Sequence, residues 1–364
     1  MSFKDIELNM GPQHPSTHGV LRLKVTIDNE VLVRIEPVVG YLHRGMEKLW
    51  ESLTYPQILP LTDRLDYIAA VSNNLAFVLA VEKLAGIDVP KRAQYIRVIL
   101  SELMRISSHL AWIGFQANDV GAISVLLYGF EFREDFLNLF ETYAGGRLTI
   151  NALRIGGLPY DLDGGLIGNI WKTLARLPKR LREIESLLNE NRIWKHRTQG
   201  VGRISAEEAI ECGLTGPCLR ACGVPWDLRK DIPYSSYEDF EFDVPLSDRS
   251  DVYGRYLVRI LEIRQSVRII EQALDRLPAG DHIAKVPKIL RIPAGEVFHS
   301  IEAPKGELGF YIRSNGTDKP ERVKMKSPSF INLQSLPAMC RGAIFSDVVS
   351  ILGSLDIVLG EIDK

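Results

Sequence analysis

The chain has 364 residues, of which 46% are hydrophobic and 25% charged, with 44 basic against 46 acidic side chains and a formal charge of −2. Such a composition is far from that of a disordered polymer, and near-neutrality offers no electrostatic basis for binding nucleic acid. Four cysteines make no disulfide framework, no apolar leader opens the sequence, and no window supplies the roughly 18 apolar residues of a membrane span, so a reducing compartment and a non-spanning chain are expected.

In chain order, a short strand at Ile6 to Asn9 precedes a segment that alternates. Leu21, Leu23, Val25 and Ile27 share one face, with Arg22, Lys24 and Thr26 on the other. After Asp28-Asn29 the pattern resumes with Val31, Val33 and Ile35, which predicts an antiparallel β hairpin with one buried face. The intervening residues 11–19 contain two prolines and two glycines and read as a loop. It carries His14 and His18, two of the seven histidines.

From about residue 41 the period becomes helical. Segments near 43–53, 61–85, 126–144 and 165–193 have helical composition. Ile99, Leu103, Ile106, Leu110 and Ile113 form one 4,3,4,3 stripe, and Ile263, Val267, Ile270, Leu274 and Leu277 form another. Residues 307–326 return to strand character around the hairpin signal Ser314-Asn315-Gly316, and a last helix is expected near 342–353. The expected architecture is therefore α+β, a long-helix bundle with β structure at both ends. It reads as a single domain over 1–364: a β region at 1–39, a helical core at 41–290, and a hairpin, helix and tail at 291–364.

His14 and His18 have HxxxH spacing, but Pro15 follows the first and no glutamate stands where a zinc hydrolase would have one. Backbone hydrogen bonding within the loop is the plainer role for them. Tyr67, in Asp63-Arg64-Leu65-Asp66-Tyr67, reads by itself as an amphipathic core residue, and Asp119 as a cap or turn residue after a long helix. Cys212, Cys218 and Cys222 are close in sequence, yet neither they nor Cys340 form a CxxC pair, so no metal ligand set is expected. There is no GxxxxGK[ST], and Gly156-Gly157 and Gly164-Gly165 lack dinucleotide-loop spacing.

Seven segments nevertheless stand together in one order: GPQHPSTHGVLRL at 11–23, GYLHRGMEK at 40–48, DRLDY at 63–67, NDVGA at 118–122, RIGG at 154–157, TGPCLRACGVPWDLRK at 215–230 and SILGSLDIVLGEIDK at 350–364. The chain resembles, along essentially its whole length, the D subunit of NADH-quinone oxidoreductase, the quinone-site subunit of respiratory complex I. The resemblance implies a chain with no redox group or metal of its own, acting within a proton-pumping complex and inactive alone. A small 4Fe-4S partner of the B type would complete with it a pocket for a ubiquinone or menaquinone headgroup. It further implies C-type, ferredoxin-like I-type and membrane H-type neighbours, and a peripheral place on the cytoplasmic face of the plasma membrane. His18 and Tyr67 match the headgroup ligands, Asp119 the carboxylate that pairs with the histidine, and Arg44 an arginine beside the cluster. From the residues alone, Arg44 also reads as a helix-face charge paired with Glu47.

The family in turn resembles the large subunit of nickel-iron hydrogenases, whose two CxxC pairs are missing here. Asp356-Ile357-Val358 stands where those proteins have Asp-Pro-Cys, which implies an inherited fold with its metal site emptied. Thr149 stands where many family members carry a histidine, implying a cluster potential with weaker pH dependence, since threonine does not titrate in that range. Three functions are compared: quinone reduction, a non-catalytic scaffold for the iron-sulfur partner, and a hydrogenase. The retained His18, Tyr67 and Asp119 favour the first, and the electron donor to the complex, whether NADH, ferredoxin or a reduced deazaflavin, is not written in this chain.

Overall fold

In the computed structural model, which describes residues 6–364, the alternating N-terminal segment forms a three-stranded antiparallel sheet in the order β1-β2-β3. β1 (Ile6–Met10) pairs with β2 (Arg22–Asp28), and β2 with β3 (Val31–Val38) after a turn in which Asn29 takes a left-handed backbone. Leu21, Leu23, Val25 and Ile27 face inward as the alternation requires. β3 departs from expectation, because Leu32 and Ile35 are buried while Val31 and Val33 are exposed. A bulge is the cause: Ile27 sits opposite Leu32 and Thr26 opposite Arg34, so Val33 is skipped and the inward set changes phase.

The middle of the chain packs five long helices, Ala70–Ala85, Lys91–Asp119, Ile123–Ala144, Gly164–Asn189 and Val252–Asp275. The stripe from Ile99 to Ile113 is buried as its spacing demands. Helix 91–119 also buries polar residues off that stripe, among them Arg97, Glu102, Arg105 and His109. Segment 61–85 is not one helix. Tyr55–Thr62 ends, residues 63–69 cross over, and helix 70–85 begins. The polar triplet Ser72-Asn73-Asn74 explains the break: Asn73 Nδ2 donates to the Asp66 carbonyl at 3.0 Å, and Asn74 Nδ2 donates to the Leu59 carbonyl at 3.2 Å and Thr62 Oγ1 at 2.9 Å. These buried amides satisfy carbonyls that the interruption leaves without helical partners.

β4 (Gly295–Ala303), β5 (Gly306–Ser314) and β6 (Pro320–Lys326) form a second antiparallel sheet in that order. The β5–β6 hairpin matches the sequence pattern. β4 does not show in it, because Glu296, His299, Ser300 and Glu302 interrupt its apolar residues. This sheet packs on helix 70–85, with Phe310 edge-on to Phe77 at 5.6 Å between ring centroids. The expected last helix is Asp347–Ser354.

Among the described residues the apolar interior has two clusters, one joining the long helices to the second sheet and one joining the N-terminal sheet to residues 204–222 and 333–362. Helix 347–354 lies on helix 91–119 at the seam between them, where Trp112 Nε1 donates to the Gly353 carbonyl at 2.8 Å. No helix among the described residues is long and apolar enough to cross a membrane.

Candidate functional site

Residues 11–19 form the expected loop. Gly11, at φ +85°, lets the chain fold back against β2, since a Cβ there would lie 2.0 Å from the Leu21 carbonyl oxygen. The buried Thr17 hydroxyl sits 2.7 Å from the His14 carbonyl and 2.9 Å from that of Gly19, tying the loop's two ends together. His18 follows in a left-handed conformation at φ +55°. That costs a non-glycine residue free energy, and it aims the imidazole across to the end of helix 91–119.

There His18 Nε2 meets Asp119 Oδ2 at 2.7 Å, with the two side chains 19% and 11% exposed. An ionised carboxylate accepts only, so Nε2 carries the proton in this bond and the imidazole orientation is fixed. Gly353 makes room for the pair. A Cβ at that position would stand 2.4 Å from Gln116 Oε1, 2.7 Å from Asp119 Oδ2 and 3.1 Å from His18 Nε2. Gln116 Nε2 in turn donates to the Ser350 carbonyl at 3.0 Å, holding helix 347–354 against the pair.

Tyr67 lies in the 63–69 crossover and is 40% exposed. Burial of the rest of the ring and the adjacent Asp66 raise its hydroxyl above the usual tyrosine range, and Lys305 and Arg44 oppose that rise. Among the described residues no hydrogen bond joins Tyr67 to His18 or Asp119. What lies between is a buried ion group. Lys305 Nζ is 3.0 Å from Asp66 Oδ2 and 3.8 Å from Asp356 Oδ1, and Asp356 is held above the usual carboxylate range by burial, with Lys305, Arg259 and His18 opposing.

Arg44 is exposed and precedes the short helix Met46–Trp50. Its pairing with Glu47 does not form, because Glu47 turns instead to Arg322 at 3.0 Å and to the Met325 amide at 3.1 Å. Arg44 donates to the Gly360 carbonyl at 2.5 Å and the Arg64 carbonyl at 3.3 Å. The loop carrying it is held by Asp363, whose carboxylate accepts from the Gly40 and Leu42 amides, both at 2.8 Å. Thr149 is exposed in the segment after helix 123–144.

All four cysteines are free thiols. Cys222 Sγ lies 3.5 Å from the Cys218 carbonyl, and Cys218, Cys222 and Cys340 pack in the second apolar cluster, where burial pushes the Cys340 thiol up to about 12. Among the described residues, no group of three or more His, Cys, Asp or Glu side chains is placed to hold a metal ion.

Sequence reasoning missed Lys305, Asp66, Gly353 and Asp363. A lysine flanked by Pro304 and Gly306 reads as a solvated turn, and only its two carboxylate neighbours, from distant segments, reveal otherwise.

Residues 119–291 and 285–364 match the family described as respiratory-chain NADH dehydrogenase, 49 Kd subunit. The chain belongs to this family. It is 50% identical to the D subunit of NADH-quinone oxidoreductase from Geotalea uraniireducens, the alignment covering 98% of both chains. The second D-type chain of the same enzyme in Solibacter usitatus is 52% identical over 99% of this chain and 97% of its own, and the D subunit of Dehalococcoides mccartyi is 53% identical over 98% of each. The 49 Kd match begins at Asp119, whereas the alignments with these relatives extend over nearly the whole chain.

Proposed function

We propose that this chain is the quinone-site subunit of a proton-pumping NADH-quinone oxidoreductase, acting peripherally at the cytoplasmic face of the membrane. It would work with B-type, C-type and I-type neighbours and an H-type membrane subunit. The observation that carries the reading is the 2.7 Å bond between His18 and Asp119, which holds a half-buried imidazole in one orientation, its Nδ1 left for a ligand, in the same site region as the half-exposed Tyr67. The names of the matching family and of the relatives support its coarser part, a subunit of an NADH-quinone oxidoreductase.

Reducing a quinone to a quinol takes two electrons and two protons, and each proton transferred forms an O–H bond at one carbonyl oxygen. The electrons would come from a 4Fe-4S cluster on the partner subunit. In this chain the Tyr67 hydroxyl donates to one carbonyl and the Nδ1–H of a doubly protonated His18 donates to the other, while Asp119, bonded at Nε2, fixes the ring and stabilises its charge before the proton leaves. Asp66, Lys305 and Asp356 lie beneath, and reprotonation of the emptied donors is the step that couples to the membrane subunits. The same role would serve a complex fed by ferredoxin or deazaflavin. A single hydrogenase-large-subunit-like domain, its metal site emptied, fits the α+β arrangement, and Arg44 fits a fixed charge that raises the partner cluster's potential.

Tyr67→Phe in the assembled complex tests the reading. Quinone reduction is expected to fall by about a hundredfold or more, the usual range for losing a proton donor, while assembly and cluster content persist. Unchanged turnover would establish the scaffold role instead.

A further inference from the structure

The segment TGPCLR at 215–220 contributes nothing to the site as described so far, yet it clamps the turn between β4 and β5 from both sides. A Cβ on Gly216 would lie 2.5 Å from Gly306 Cα, and one on Gly306 would lie 2.4 Å from Thr215 Oγ1, so the two backbones touch as only glycines permit. Thr215 Oγ1 accepts from the Glu307 amide at 3.0 Å, and Asn332 bridges the Lys305 carbonyl (3.0 Å) and the Thr215 amide (3.3 Å). On the other side Arg220 donates to Glu302 at 2.7 Å. The residue held by all of this is Lys305, whose side chain points inward rather than to solvent and is 1% exposed.

We propose that Lys305 is a positioning residue for proton transfer in this site, its ammonium set by the 215–220 clamp to balance the carboxylates beneath Tyr67 and His18. The inference rests on the quinone-site reading above. The groups facing Lys305 are Asp66, Asp356 and Glu361, with Ser108 Oγ at 3.3 Å. Those facing the reacting residues are Asp66, Lys305 and Arg44 at Tyr67, and Asp119 and Asp356 at His18, with Arg259 against Asp356 at 3.9 Å. Three carboxylates thus surround one ammonium. Burial disfavours that charge, but Asp356, Asp66 and Glu361 together hold the lysine above its usual range, so it stays cationic. A cation there opposes the build-up of negative charge when Tyr67 gives up its proton.

The test is Lys305→Met in the assembled membrane complex, assayed for quinone reduction from about pH 5.5 to about pH 8.5, the range in which a displaced carboxyl would titrate. The loss is expected to reach about tenfold at the alkaline end and to shrink toward the acid end, where protonation of Asp356 and Glu361 stands in for the missing ammonium. Lys305→Arg should keep the parent's profile, and adding Asp356→Asn to Lys305→Met should recover part of the rate. A uniform loss with the parent's pH profile, or an unchanged rate, overturns the proposal. If Lys305→Met does not assemble, Asp356→Asn alone carries the test. It should displace the profile toward lower pH, and an undisplaced profile overturns the proposal. Tyr67→Phe run alongside separates the two readings: normal turnover there removes the quinone-site reading itself, whereas loss there with an undisplaced Lys305→Met profile removes only the role of Lys305.

Discussion

His18 and Asp119, 101 positions apart in the chain, are joined by a 2.7 Å bond that lies against the bare Cα of Gly353. The contact needs three separate segments to arrive together: a loop at 11–19, the last residue of helix 91–119 and the final turn of helix 347–354.

Gly353→Ala should break this arrangement with both His18 and Asp119 left unsubstituted. The methyl group would overlap Gln116 Oε1 and Asp119 Oδ2, and accommodating an extra carbon in a packed site costs about 1–3 kcal/mol. Turnover with quinone is expected to fall with Asp119 displaced, and an NMR or crystallographic view should show the His18–Asp119 bond lengthened. Retention of both the bond and the rate would show that helix 347–354 yields instead.

Asp119→Asn keeps the shape of the pair and removes its charge. The amide can accept from His18 but no longer stabilises an imidazolium, so quinone reduction should drop by about a hundredfold or more, on the scale of general acid–base contributions. Steady-state assays on membranes with matched complex content would measure it. Full activity would mean that His18 acts without its carboxylate.

Glu361 offers a pH prediction. Burial first, and Asp66 second, push its carboxyl up to about 7, so the folded state binds the proton more tightly than the unfolded chain does. Its contribution to stability is then complete below the ordinary glutamate range and is lost as pH rises toward 7. Hydrogen exchange corrected for its intrinsic pH dependence should show residues 359–362 opening more readily at pH 8 than at pH 6, values that bracket the shifted pKa. Glu361→Gln should abolish the difference, and persistence of the difference in that variant would exclude Glu361 as its source.

Arg220 joins Glu262 at 2.7 Å and Glu302 at 2.7 Å in the interior, where all three are fully buried. Arg220→Met would leave those carboxylates without their counter-charge, a loss of about 3–5 kcal/mol for a broken buried pair. The expected outcome is a chain that accumulates poorly and does not enter the complex. Normal accumulation would mean that Arg105 and Arg229 suffice.

Thr149 leads to a fifth expectation, in a redox titration of the partner's cluster. The parent should show a weak pH dependence of the potential and Thr149→His a stronger one, because only the imidazole titrates in the accessible range. A full one-proton slope in the parent would contradict this.

The helices are legible in the sequence because their stripes repeat every three to four residues, and the first hairpin because Leu21 through Ile27 alternate. The errors have local causes. Val33 shifts the phase of β3 through one unpaired residue, and β4 is hidden because Glu302 points into the interior toward Arg220, where alternation leads one to expect an apolar side chain. His18, Tyr67, Asp119 and Arg44 are reached through motif resemblance, and each has an ordinary role that its residue type explains equally well. Lys305 has no signal, since what distinguishes it is the company of Asp66 and Asp356, set by tertiary packing alone.

Residues 359–363 hold the site from below: Leu359 packs under Gly19, Gly360 receives Arg44, and Asp363 caps the amides of the 40–42 loop. During synthesis, then, the segments bearing His18 and Arg44 leave the ribosome more than three hundred residues before their clamp does. Until that clamp arrives the contacts of Leu359, Gly360 and Asp363 are missing, so any partner that recognises the finished surface would be offered it only after residue 363 has been made.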